Sequence, residues 1–235
     1  VDLPDLHLPD LHLLSSMAVR PALAALAPLL PGVRLEAGGG VEVARRIRAG
    51  APADLAVLAA DALAALHAEG LAERPRPLWD SATVAAVAHD APPAALDTVD
   101  DLTALLTGAR AVAHSTGPSG TALRALVERL GLAGRVRLVC ADPGVPAGSL
   151  LADGRADLAF QQHSELAGLP GVRILGPLPG DTAITSTFAA AVLTATATPD
   201  RARALLDLLA GEPATAAVRA RGMHPHRPGR STDAR

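Results

Sequence analysis

The chain of 235 residues has no lysine and no tyrosine, a single cysteine, and only 1% aromatic residues. Each shortage removes a class of chemistry. Without lysine there is no Schiff base, no covalently held pyridoxal phosphate and no lysine-bearing phosphate loop. Without tyrosine no phenol serves as acid or ligand. All 21 basic residues are arginine, and 24 acidic residues bring the formal net charge to −3. That balance provides no general attraction to nucleic acid, and two Phe with one Trp supply little stacking for bases. One cysteine forms neither an intrachain disulfide nor a cysteine-rich metal site. Cys140 ends the apolar run that starts at Val136 and reads as a buried strand thiol. No stretch nears the roughly 20 apolar residues of a membrane span. No basic-then-apolar signal peptide opens the chain, and the repeat of Asp5 to Pro9 looks like a ragged leader. Taken as complete, the chain points to the cytoplasm. Taken as mature after removal of a signal, it points to the periplasm or cell exterior.

What is present is a 49% hydrophobic sequence, long enough to bury a core of Leu, Val and Ala. Short apolar runs alternate with Gly/Ser/Pro turns and helical periods. This predicts strands over 11–14, 33–36, 54–58, 81–89, 109–113, 136–140, 157–161, 172–175 and 185–194. Helices are predicted over 17–30, 41–49, 61–69, 98–106, 121–130, 146–153, 199–210 and 213–221. The alternation argues an α/β fold with largely parallel sheet. The long strands 81–89 and 185–194 bracket a middle block that is itself a complete α/β unit. The expected organisation is two α/β sandwich lobes joined by two crossover strands. Residues 1–80 and 185–222 would form one lobe and 91–184 the other, with 81–90 crossing and 223–235 a disordered tail. Small ligands favour such an inter-lobe cleft.

Two turns carry the chemistry. His12 to Ala18 and Ala113 to Leu123 each run from an apolar strand through small hydroxyl residues into an amphipathic stretch. Such turns aim unpaired backbone N–H groups and serine hydroxyls at one spot, which suits an anion. Ser16 and Ser119 read either as N-caps, each stabilising its helix by about 1 kcal/mol, or as ligand donors. Two such serines at one cleft favour the second reading. The segment Thr116 to Thr121 lacks the lysine of a phosphate loop. His114 and His163 have the right basicity to shuttle a proton, although a histidine at a strand end also serves structure. Gln161 and Gln162 either orient a carboxylate or satisfy a loop. Glu42 favours a helix dipole, and His89 with Asp90 reads as hinge surface. His224 and His226 have a spacing that metals use but lack a carboxylate or cysteine partner, so no metal is expected, and no organic cofactor either. Arg20, one turn past Ser16, is the arginine best placed to meet a polyanion.

The segment Gly38 to Leu55, with its Ala-Gly-Ala-Pro-Ala-Asp-Leu ending, resembles the molybdate-binding proteins of ABC transporters, which have a type II periplasmic-binding-protein fold. Within that group, Leu11 to Ser15, His114 to Gly120, Phe160 to Leu166 and Gly176 to Pro179 are similar to the aconitate-isomerase-like branch. The resemblance implies a small-anion site on the matching positions. Its first turn falls on Ser15 and Ser16, and its second on Gly39 and Gly40, where hydroxyls are replaced by bare backbone. The third falls on Ser115, Ser119, Gly120 and Thr121, and the fourth on Gly144 and Val145. Gln162 stands where the molybdate binders have a tyrosine. An amide and fewer hydroxyls suit a carboxylate at least as well as molybdate. The expected function is an isomerase shifting a double bond and proton in an unsaturated di- or tricarboxylate. The alternative is a solute receptor for a molybdate-like oxyanion or a carboxylate, with an ABC transporter permease as partner.

Overall fold

A computed structural model describes residues 10–227. Asp5 to Pro9 and the end of the tail beyond Arg227 lie outside the described residues. The chain opens with β1 (Leu11–Ser16) and a 3-10 turn (Met17–Val19), followed by α1 (Arg20–Ala25) and a second 3-10 turn (Ala27–Leu29). The single helix expected over 17–30 is therefore in three pieces. Pro21 suits the first turn of α1, but Pro28 has no N–H with which to continue it. Next come β2 (Val33–Gly38), α2 (Gly40–Arg48), β3 (Leu55–Ala59) and α3 (Ala60–Ala68). The thirteen-residue β4 (Arg76–Ala88) leads to α4 (Val99–Gly108), β5 (Val112–His114) and α5 (Pro118–Arg129). Then follow β6 (Leu138–Cys140), α6 (Ser149–Ala152), β7 (Leu158–Gln162), α7 (His163–Leu166) and β8 (Val172–Pro177). After β9 (Thr185–Val192) the chain closes with α8 (Pro199–Leu209), α9 (Glu212–Arg219) and β10 (Met223–Pro225).

The strands run in the order β2-β1-β3-β9-β4-β7-β5-β6, with β8 and β10 also on β4. Parallel pairing is confined to two blocks, β2-β1-β3 and β7-β5-β6. The long strands β4 and β9 run antiparallel to their neighbours. β4 begins five residues before the expected Ser81. Pro77 argues against a strand there, yet a register shift between Pro77 and Trp79 accommodates it. The first half of β4 pairs with β9 and β10, and its second half with β7 and β8, so one strand serves both blocks.

The apolar core divides in the same way. Two clusters cover opposite faces of the first block: one holds Leu13, Leu55, Val57 and Trp79, the other Leu14, Ala56, Leu58 and Leu63. Alternate strand residues point to opposite faces, which is why β3 supplies both. The second block has its own pair of clusters, around Leu123, Leu158 and Phe160 and around Val84, Ala159 and Leu166. In α5, Leu123, Leu126 and Val127 fall on one helical face and are buried. The few aromatics, Trp79, Phe160 and Phe188, are all core.

Two expectations need correction. Met223–Pro225 is ordered, because Met223 is fully buried and the strand pairs with Trp79 to Ser81. His226 extends the anchorage, its N–H donating to Leu78 O (2.9 Å) and its Nδ1 lying 3.0 Å from Asp80 Oδ1. Cys140 is exposed rather than buried, because β6 is a three-residue edge strand with no neighbour beyond it. Among the described residues, no helix is long and apolar enough to cross a membrane.

Candidate functional site

A cavity of about 840 Å³ lies where the carboxyl ends of β1, β2, β3 and β7 and the turn after β5 converge. Ligand sites collect at the carboxyl ends of parallel strands, where helix starts face the opening. Of the residues expected to bind an anion, Ser16, Gly39, Gly40, Ser115, Ser119, Gly144, Val145 and Gln162 line this cavity. The first turn and the third thus meet at one space.

On the first wall, Ser16 is buried and its hydroxyl has no hydrogen-bond partner. The capping role fails for it, because it makes no side-chain bond to the turn it precedes. Gly39 caps α2 with no side chain, and its carbonyl accepts from Val43. The N–H groups of Gly40, Val41 and Glu42 therefore have no intrahelical partners. Ser15 also has an orphaned hydroxyl, but it lies outside the cavity wall, since adjacent strand residues face opposite ways.

The second wall is internally bonded. Ser115 Oγ and Ser119 Oγ are 3.2 Å apart, and Gly117 N–H donates to Ser115 Oγ (3.3 Å). Gly117, not Ser119, is the cap of α5, and Ser119 sits one residue after Pro118 in its first turn. Gly120 and Thr121 do not line the cavity. Their N–H groups bond Gly117 O at 3.0 and 3.1 Å, so they are not free donors. Gly120 has a different task. A Cβ there would lie 1.9 Å from Ser115 O and 2.8 Å from His114 Nδ1, so only glycine lets α5 sit this close to the turn.

Neither candidate histidine is in the cavity wall. His114 is buried beneath the turn, with Nδ1 2.9 Å from Ser115 O. His163 starts α7 and packs on Gly222, where a Cβ would come within 2.4 Å of its ring. Burial, and secondarily the nearby His224, lower its pKa. Neither ring is therefore placed against an anion bound in this cavity.

The acid–base group on the wall is Glu165, which residue patterning had not singled out. It follows Gln162 by three residues in α7, so the strand-end glutamine and the carboxyl come to the same opening. That i, i+3 spacing was the available signal. Enclosure by protein pushes its pKa up to about 7, with hydrogen bonding from Gln161 pulling weakly the other way. Ser164 steadies α7 by donating to Ala18 O (2.6 Å), and Gln161 Oε1 accepts from Ala147 N–H (2.6 Å). Gln162 Nε2 donates to Ser186 Oγ (2.7 Å), leaving its Oε1 buried without a partner. The other charges on the wall have local bonds: Glu42 pairs with Arg45 (2.7 Å), Arg48 with Glu69 (2.7 Å), and Asp61 accepts from Ala62 N–H (2.8 Å). The free donors at this cavity are accordingly uncharged ones, amide N–H groups and hydroxyls. Among the described residues no group of three or more His, Cys, Asp or Glu is placed to hold a metal ion.

The family model for bacterial extracellular solute-binding proteins matches residues 11–224, which takes in both strand blocks and every wall of the cavity. The chain belongs to this family. One relative of this solute-binding protein, aconitate isomerase from a Pseudomonas species, is 33% identical over 190 residues, 78% of this chain and 71% of that protein. The periplasmic molybdate-binding protein of Azotobacter vinelandii has the same fold, with a TM-score of 0.72 at 22% identity over 93% of this chain and 99% of that one. The sulfate-binding protein of Mycobacterium tuberculosis H37Rv gives a TM-score of 0.75 at 17% identity, covering 94% and 88% of the two chains. The fold is the two-lobed type II periplasmic-binding-protein fold, with β4 running through both strand blocks.

Proposed function

We propose that this solute-binding protein is an isomerase that moves a double bond and a proton within an unsaturated di- or tricarboxylate. The observation that carries the reading is Glu165: a carboxyl whose pKa is about 7, on the wall of a cavity otherwise supplied with hydroxyl and amide donors. A simple anion receptor can use only the protonated form of such a carboxyl, as a donor to its ligand. A proton shuttle needs both forms, and a pKa near neutrality makes both available.

In the forward step the Glu165 carboxylate takes a proton from the CH₂ beside the double bond. The C–H electron pair becomes the new C=C, and the old π pair carries negative charge toward the substrate carboxylates. Ser16 Oγ, Ser119 Oγ and the N–H groups opening α2 stabilise that charge as it develops. Protonated Glu165 then delivers the proton to the far carbon, so atoms and charge balance without metal or redox partner. A bound polyanion raises the carboxyl's pKa further and makes it a stronger base. The 33% identity to aconitate isomerase supports this choice of substrate class.

A second reading, a receptor for an oxyanion or carboxylate that delivers it to an ABC transporter, is favoured by the donor set. Hydroxyls and amides hold an anion without any base. Proton NMR of the purified protein with trans-aconitate separates the two. Appearance of cis-aconitate, lost in Glu165→Gln while binding persists, supports the isomerase. Tight binding of molybdate or trans-aconitate with no turnover establishes the receptor.

A further inference from the structure

Beside the main cavity is a smaller recess of about 270 Å³, lined by Met17, Arg20, Pro21, Ala24, Pro146 and Glu165. Met17, Pro146 and Glu165 belong to both walls, so the recess continues the main cavity past the proposed base. Apart from Glu165 its one charged lining group is Arg20, at the start of α1. The two arginines on these walls differ in their commitments. Arg48 forks onto Glu69 with bonds of 2.8 and 2.7 Å, whereas the Arg20 guanidinium makes no hydrogen bond or ion pair with another described residue. The remaining lining is apolar.

We infer that this recess is a subsite for the carboxymethyl arm of the substrate, with Arg20 as the residue that reads the arm's carboxylate. The inference rests on the isomerase reading and specifies its substrate: an unsaturated acid carrying a third carboxylate on a CH₂. A planar guanidinium matches a carboxylate in two-pronged fashion. With the carboxylate on Arg20, the CH₂ behind it lies toward Glu165, which shares the same recess. The arm that is bound is then the arm that is deprotonated. Arg20 also stabilises the negative charge that spreads onto this carboxylate once the proton leaves.

The test compares trans-aconitate with methylfumarate, which differs only in lacking the arm's carboxylate, by calorimetry on the whole protein. The wild type should prefer trans-aconitate by about ten- to a hundredfold, the worth of one charge-assisted hydrogen-bonded contact. Arg20→Gln should erase that preference while leaving methylfumarate binding unchanged. Ala24→Phe, which fills the recess from the next turn of α1 while leaving the arginine's charge in place, should do the same. An Arg20→Gln protein that keeps the preference, or loses both acids equally, overturns the subsite. Wild-type protein that binds neither acid overturns the isomerase reading itself. Binding reports the subsite and turnover reports the base, so the two failures are distinguishable.

Discussion

The two walls of the cleft are made from the same strand–turn–helix unit, yet they handle their polar groups in opposite ways. After β5, Ser115, Gly117 and Ser119 bond one another, and Gly120 locks α5 against the turn. After β1 and β2, Ser16 keeps a free hydroxyl and α2 begins on a bare glycine. The bonded wall has its hydroxyls paired before any ligand arrives. The open wall carries buried polar groups whose desolvation is uncompensated, at about 1–3 kcal/mol each, until a ligand accepts from them. Affinity should therefore be more sensitive to the first wall, and integrity of the site to the second. The proposed base belongs to neither turn: Glu165 lies on α7, which is tied to the first wall through Ser164 and Ala18.

Four measurements break or sharpen this contrast, from the largest effect down. Glu165→Gln should reduce isomerisation of trans-aconitate by at least about a hundredfold, with binding retained; turnover within a few-fold of wild type would remove Glu165 from the mechanism. Gly120→Ala should destabilise the protein by about 3 kcal/mol in urea unfolding, because the new Cβ meets a backbone oxygen that cannot move away. A stable Gly120→Ala protein would mean that the second wall is less rigid than its bonds suggest.

The third measurement is pH dependence. Folding raises the Glu165 pKa from its ordinary 4.5 to about 7, so the native state holds this proton more tightly than the unfolded chain. Its contribution is complete below about pH 4.5, is lost as pH rises toward 7, and is absent above. The loss is at most about 3 kcal/mol, and Glu165→Gln should flatten that part of the stability profile. An unchanged slope in the variant would assign it to another group. The smallest effect is expected at Ser16→Ala: anion binding about tenfold weaker, with stability unchanged or slightly higher because an orphaned hydroxyl disappears. Ser119→Ala, whose hydroxyl already has a partner, should cost less affinity; the reverse order would invert the comparison of the walls.

Much of the fold was legible because periodicity is a local property. Alternation of apolar runs with helical stretches locates most elements within a few residues. Departures have local causes that compete with periodicity. Pro28 splits the predicted first helix, and Pro77 hides the start of β4. β10 is too short to register as a strand and exists because Met223 finds a buried place on β4. At the site, Ser16, Gly39, Gly40, Ser119 and Gln162 were legible as turn residues. His114 and His163 also looked like cleft residues by position, but neither lines the cavity.

By itself the sequence determined that an anion here would be met by hydroxyls, amides and arginine, since lysine and tyrosine are missing, and that helix starts would follow strand ends. Composition and order along the chain suffice for both. Only the tertiary structure decided which serines keep a free hydroxyl, that Arg20 rather than Arg48 has an unbonded guanidinium among the described residues, and that Glu165 rather than a histidine faces the cavity with a pKa near 7. Those properties depend on burial and on partners distant in sequence, and neither is encoded in a residue's immediate neighbours.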